Sequence, residues 1–402
     1  MRRGSITAIG VVCAFALAAS GCAESSSSSS EGGSLKLGLL VSLTGQAASA
    51  FKTTKYGVDA RLAAYRDDNG KCADTKMSVV QADDTSNAQG ALTGTQKLIQ
   101  QEKVYTVLDG SQFFFGAAPY ATTGGKGTPV IGAGTDGAKQ WDSTDNNLFP
   151  AVPVPQFGKV YSTTGLYFKG VGGTKVAGLA FGTPSATGSL EANLKSAEAA
   201  GLTRGYVNKS IPLGSTDVGA IVLGIIHSKA DVVTMSLNPD TAFAVVAGLK
   251  QAGYKTKATL TATGYGADLL ESKPAVQAAQ DVSFLVGWEP VELKTAATEK
   301  FSKYLKKAGV TSGIPGFSQT VGWLMTDLFL HALDKAGCDA SQAKLISTLR
   351  QDKTWNAGGL YGFSFDYSKA HQDKQCLYYL RLKGNEFVPE PGNTPLCGDV
   401  IG

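Results

Sequence analysis

The stretch LKLGLLVSLTGQ, Leu35 to Gln46, decides the fold. Its core, Leu37 to Leu43, is apolar almost without a break and closes on Thr44 and Gly45. A short run of that kind reads as a strand buried on both faces. Burial on both faces belongs to a parallel sheet with helices above and below it. In an open α/β sheet, ligands sit at the carboxyl ends of the strands, so the loop after Leu43 is one wall of a candidate site. The rest of the chain is expected to build the wall opposite.

Outward from that strand the α/β rhythm continues. Lys55 to Asp67 has helical spacing and ends at Asn69-Gly70; Met77 to Ala82 is a second strand. Ser86-Asn87-Ala88-Gln89 reads as a capping box opening a helix through Leu92, Leu98 and Ile99. Tyr105 to Leu108 and Pro129 to Ile131 follow as strands, the order expected of a right-handed parallel sheet. The loop after the third strand carries Ser111, Gln112 and the aromatic run Phe113 to Phe115. Three adjacent aromatics cannot share one helix face, so they divide between a cleft and the core, with neither favoured. The loop after the fourth, Gly132 to Gly137, matches GxGxxG, but no amphipathic helix follows it directly. It reads better as a glycine loop whose bare N–H groups, with the Thr135 hydroxyl, approach an anionic group.

Phe149 to Pro155 holds three prolines and breaks the rhythm, as a crossing between lobes would. A second alternation then begins. Val160 to Phe168, Leu190 to Ala200, a helix through Ile221 to Ile226 capped by Thr216 or Asp217, and Ala242 to Gly253 read as helices. Lys175 to Phe181, Asp231 to Ser236, Thr259 to Thr263 and Val282 to Trp288 read as strands, and Glu289-Pro290 as a second crossing. Thr295 to Ala308, Val321 to Ala336 and Ala343 to Leu349 are amphipathic helices, with Trp323, Phe329 and Leu333 expected in the core. Tyr361 to Phe365 and Leu377 to Val388 read as late strands, the second bent at a Lys383-to-Glu386 hairpin.

A chain of 402 residues is too long for one ordinary core, which fits two lobes. Its 43% hydrophobic and 17% charged residues describe a globular protein with a real core, and 49 glycines suit many tight turns. The net charge of +4 includes Arg2 and Arg3 and leaves no phosphate-binding stripe, so nucleic acid is excluded as a partner. Those arginines open a short apolar run, Ile6 to Ala19, too short to span a membrane. Ala19-Ser20-Gly21-Cys22 follows it and resembles the bacterial lipobox, in which the cysteine is lipidated and becomes the first residue. Plain secretion is the alternative. Ser25 to Gly33 is a flexible linker, so an ordered, lipid-anchored extracytoplasmic domain is expected from Leu35.

Beyond Cys13 and Cys22 four cysteines remain, an even number that suits an oxidising compartment. They allow three pairings; Cys72 with Cys338 and Cys376 with Cys397 is favoured. No CxxC pair exists, and His227, His331 and His371 lie far apart, so no metal site and no cofactor is expected. No GxSxG or HExxH element supports catalysis, and no catalytic residue is assigned. Asp83-Asp84 could bind a metal but reads better as a solvated turn and helix cap.

Five segments carry a family resemblance: Gly38 to Gly45, Tyr56-Gly57-Val58, Asp83-Asp84 with Gln96-Lys97-Leu98, Pro129 to Ile131, and Gly359 to Phe365. Together they resemble the leucine/isoleucine/valine-binding proteins, type I extracellular solute-binding proteins of ABC importers. The resemblance covers essentially the whole chain after the linker. It implies two doubly wound parallel-sheet α/β lobes joined by three hinge crossings. The boundaries would be a leader over 1–22, a linker over 23–34, lobe one from 35–150 and 290–373, and lobe two from 151–289 and 374–402. It further implies a monomer that closes on a small organic solute and delivers it to an ABC permease, without chemistry.

Carried onto this chain, the family's carboxylate-holding loop falls at Ser111, Gln112, Phe113 and Phe114, and the loop after it at Gly134 and Thr135. In lobe two, family aromatics fall at Ser185 or Ala186 and at Asn238, and the acid that meets an ammonium falls at Thr263. None of those types is kept. A buried ammonium without a counter-charge is costly, which argues against an α-amino acid. Asn238, Tyr265 and the Phe113–Phe115 group point to a neutral or anionic solute with an apolar part. A sensing module for a membrane receptor is the alternative function, and an extracytoplasmic hydrolase a weaker one.

Overall fold

The computed structural model describes residues 34–153, 159–369 and 374–402. The leader, Cys22, most of the linker, Pro155 in the first crossing and the junction at 373 lie outside the described residues. The first sheet has five strands in the order β2-β1-β3-β4-β5: β1 Ser34–Val41, β2 Lys76–Asp83, β3 Thr106–Asp109, β4 Val130–Gly132 and β5 Leu148–Pro150. All its pairings are parallel; Leu37, for example, faces Val79 on one side and Thr106 on the other. Leu37, Leu39, Leu40 and Val41 are fully buried, because helices cover both faces of the sheet.

The second sheet has eight strands. β6 Lys175–Phe181, β7 Thr203–Ile211, β8 Val232–Ser236, β9 Ala258–Thr261 and β10 Val282–Val286 are parallel, in the order β10-β9-β8-β6-β7. β11 Lys374–Lys383 adds antiparallel to β10, and both β12 Glu386–Pro389 and β13 Leu396–Asp399 add antiparallel to β11. These are the two parallel-sheet α/β lobes expected, the second edged by an antiparallel hairpin. Among the described residues no helix is long and apolar enough to cross a membrane.

The helices after the second sheet's parallel strands return to the first sheet. Helix Phe317–Ala336 packs along helix Thr54–Asp67 and over β3 and β4. The approach is so close that only glycine fits at two points. A Cβ on Gly57 would lie 1.8 Å from the Gln319 carbonyl oxygen, and one on Gly322 would lie 2.1 Å from that of Thr54. Arg61 crosses the same seam to Asp327, Nε to Oδ2 at 2.6 Å, and Trp355 Nε1 donates to Oδ1 of that aspartate at 2.7 Å. The Cys72–Cys338 disulfide closes the far end of the helix pair, and Cys376–Cys397 staples β11 to β13.

Several local expectations change. Tyr361 to Phe365 is not a strand; its aromatics turn inward and pack with Trp355 and Tyr367. The cap of helix Ala88–Gln96 is Asn87, whose side chain accepts from the Gly90 N–H at 2.8 Å, and Ser86 takes a left-handed φ of 57°. Neither Thr216 nor Asp217 caps the next lobe's helix, which starts at Gly219 after Val218. Asp84 is fully buried, not solvated, and accepts from Ser42 Oγ, Ser111 Oγ and the Ser86 N–H. It thereby ties the ends of β1 and β3 together beneath the loops that follow them.

Candidate functional site

The carboxyl ends of the two sheets face a cavity of about 480 Å³, within the range of small-molecule sites. Lobe one contributes Phe51, Gln112, Thr135 and Phe317. Val152, Pro153, Trp288 and Phe363 line it from near the crossings. Lobe two contributes the starts of two helices, at Thr183 and Asn238, with Asn193, Thr234 and Thr263.

Five sequence-derived residues, Gln112, Thr135, Ser185, Asn238 and Thr263, meet at this cavity. Ser185 Oγ donates to the Thr135 carbonyl and Asn238 Nδ2 donates to the Gln46 carbonyl at 3.3 Å, so both bonds span the two lobes. Thr263 Oγ1 donates to the Leu237 carbonyl at 2.7 Å and fixes one lobe-two loop against the next. The other five do not line the cavity. Ser111 is buried; its hydroxyl donates to Asp84 and accepts from the Phe113 N–H, which shapes the turn presenting Gln112. Phe113 and Phe114 lie in the lobe-one core, Phe114 against Trp141. Gly134, at a φ of 66°, bends the chain just before Thr135. Tyr265 is buried and donates to Glu292 Oε2 at 2.8 Å, away from the cavity.

Sequence reasoning missed the aromatic wall. Phe51, Phe317 and Trp288 form a continuous face, with ring centroids 6.2 Å apart for the first pair and 6.0 Å for the second. Gly316 before Phe317 was the available signal, since it starts a helix four residues earlier than the periodicity suggests. On the opposite wall a polar chain runs from Thr164 Oγ1 to Asn193 Oδ1 at 2.9 Å, and from Asn193 Nδ2 to Thr234 Oγ1 at 3.3 Å.

Three helices begin at the cavity: Pro184–Ala199, Pro239–Gln251 and Phe317–Ala336. Their N-terminal ends carry partial positive charge and favour anions or acceptor atoms. Among the described residues one carboxylate, Glu191, is on the wall, and hydrogen bonds from Lys209 and Arg204 hold it ionised, below its ordinary range. Deeper in lobe one, burial pushes Asp109 up strongly, reinforced by the charge of Asp136; burial pushes Asp136 itself up to about 7. Asp136 accepts from Trp141 Nε1 and the Ala138 N–H, which sets the loop bearing Thr135. The GxGxxG segment is therefore followed by a short 3₁₀ turn, Lys139–Asp142, that packs Trp141 beneath it. Among the described residues no group of three or more His, Cys, Asp or Glu side chains could hold a metal ion.

This architecture, two α/β lobes around a shared cleft, defines a class of ligand-binding proteins. The sequence profile of the periplasmic binding proteins matches residues 34–386, and the chain belongs to that family. No curated protein sequence matches it. Among solved structures, a solute-binding protein of an ABC transporter from R. palustris, in complex with benzoate, is 20% identical. Its TM-score is 0.75, with 92% of this chain and 98% of that chain covered. A branched-chain amino acid ABC transporter protein from Thermus thermophilus with bound valine is 17% identical, with a TM-score of 0.74 and coverage of 90% and 97%. A leucine-binding protein from Thermotoga maritima is 15% identical, with a TM-score of 0.68 and coverage of 89% and 97%. At these identities the likeness is one of fold.

Proposed function

We propose that this protein is an extracytoplasmic receptor that captures a small organic solute between its lobes and delivers it to an ABC-type permease, without covalent chemistry. The observation that carries this reading is the cavity itself. It is bordered by three helix N-termini and an aromatic wall, and among the described residues its one carboxylate, Glu191, is already engaged by two cations. Such a wall suits a neutral or anionic solute with an apolar face. An α-amino acid would place its ammonium where no uncommitted carboxylate faces it, at a cost that binding would have to offset. In this reading Gln112, Thr135, Ser185, Asn238 and Thr263 are contacts, and Ser111, Phe113, Phe114, Gly134 and Tyr265 shape the loops around them. The neighbours fit two ligand classes, benzoate and valine, and the site favours the first.

The protein acts as a monomer, anchored by lipid on Cys22 with the Ser/Gly segment as a tether. Isothermal calorimetry tests the solute class. Benzoate or a related ring carboxylate is expected to bind in the micromolar range or tighter and valine to give no heat; tight valine binding with no response to carboxylates overturns it.

A further inference from the structure

The cavity reaches further into lobe two than the contacts named so far. At the carboxyl end of β10 it is lined by Leu285 and Gly287, and beside them by Ala262, just past β9, and Leu377 of β11. These residues share one face of the sheet. Side chains alternate along a strand, so positions 285 and 287 point the same way. Ser283 pairs with Leu260, which brings Ala262 beside Leu285; Leu285 pairs with Tyr379, which brings Leu377 opposite Gly287. A strand with neighbours on both sides in a helix-covered sheet has its apolar side chains buried. Phe284 and Val286 are 0% and 3% exposed, yet Leu285 between them is only half-buried, and the cavity lies over it.

Gly287 is what leaves that opening. Glycine is costly in extended chain, and it is usually required by a left-handed φ or by an atom too close for a Cβ. Neither holds here. The φ of Gly287 is outside the left-handed region, and a Cβ built on it meets only Leu377 Cδ2, at 3.8 Å, an ordinary contact. Gly57 and Gly322, by contrast, have main-chain oxygens where a Cβ would stand. What glycine supplies at 287 is room. The polar groups at this end, Thr164, Asn193 and Thr234, bond to one another, so the space over Leu285 and Leu377 is mainly apolar. A cavity of about 480 Å³ is of the size that encloses drug-sized ligands, and a bare ring carboxylate fills only part of it.

We propose that Gly287 is a specificity-determining residue: its missing side chain holds open an apolar extension of the cavity, and the solute is a ring carboxylate whose apolar substituent, several carbons long, lies over Leu285 and Leu377. This rests on the solute-capture reading above. Alternation turns the next residue, Trp288, to the other face, so a side chain at 287 fills the extension and leaves the aromatic wall in place.

Calorimetry with benzoate and its meta- and para-propyl and meta- and para-pentyl derivatives tests this on the wild-type protein, Gly287→Leu and Gly287→Ala. In the wild type at least one of the two series is expected to gain affinity with length, up to roughly fourfold per methylene buried. G287L is expected to bind benzoate as the wild type does and the pentyl compound roughly 10- to 100-fold more weakly than the wild type. G287A, which adds one methyl group, should lose less of the gain; if G287L does not fold, a reduced preference for pentyl over propyl in G287A decides. Wild-type affinity that stays flat or falls with length in both series overturns the extension and leaves solute capture standing. A chain-length gain that survives in the folded variants, or a loss equal for benzoate and the pentyl compound, overturns the role of Gly287. No binding of any of these compounds overturns this inference together with the reading it rests on.

Discussion

Asp136 and Asp109 are buried acids beneath the binding loops, and among the described residues no cation pairs with either. Burial raises both, and Asp136 reaches about 7; Glu292, buried against Tyr265, is likewise pushed up to about 7. A carboxyl whose folded value lies above its unfolded value of about 4 holds a proton that the unfolded chain releases. The contribution of Asp136 and Glu292 to stability therefore falls as pH rises from about 4 to about 7. Asp352 works in the opposite direction. Burial alone would raise it, but bonds from His331, Lys335 and Thr354 hold it well below the usual range, so its contribution is lost in acid. Thermal melts across pH should show maximal stability near pH 4–5. Asp136→Asn should flatten the neutral limb by up to about 4 kcal/mol. An unchanged limb in D136N removes Asp136 as its cause. At the helix seam, Asp327→Ala leaves the partly buried Arg61 and the buried Trp355 indole without their shared acceptor, and denaturant melts should show a loss of about 3 kcal/mol.

Packing at the scale of elements turns on helix Thr54–Asp67 against helix Phe317–Ala336. Gly57→Ala forces a Cβ onto main-chain atoms that cannot rotate away. A loss of about 3 kcal/mol in chemical denaturation is expected, and a neutral G57A would mean the helices separate freely. The elements legible in the sequence were those whose burial is symmetric. β1 shows an unbroken apolar run because both its faces are covered. β7 is an edge strand in which Arg204 and Lys209 are exposed and Asn208 is half-buried, so neither alternation nor an apolar run marks it. β5 is three residues long and ends in Pro150, and its sequence reads as a linker. Tyr361 to Phe365 alternates as a strand does, but its aromatics pack among themselves rather than in a sheet. The site was legible in part for a similar reason. Loop residues such as Thr135 and Asn238 follow recognisable strands, whereas Phe51, Trp288 and Phe317 become one wall only in the folded chain.

For the whole molecule, the long-range closure is covalent as well as packed. Cys72–Cys338 spans 266 residues and fastens the helix pair from opposite ends of lobe one's sequence. By loop entropy, replacing both cysteines with alanine should cost up to about 5 kcal/mol, read as a lowered midpoint in denaturant; an unmoved midpoint would mean the seam holds without it. The bonds from Ser185 to Thr135 and from Asn238 to Gln46 join the lobes directly across the cleft, as a shut receptor requires. The central claim is that this cleft holds a small solute and returns it unaltered. Native mass spectrometry of the protein with a panel of ring carboxylates tests it most directly. The account predicts a one-to-one adduct that leaves on unfolding with the mass of the compound added. No adduct with any member, or a released compound of changed mass, would contradict it.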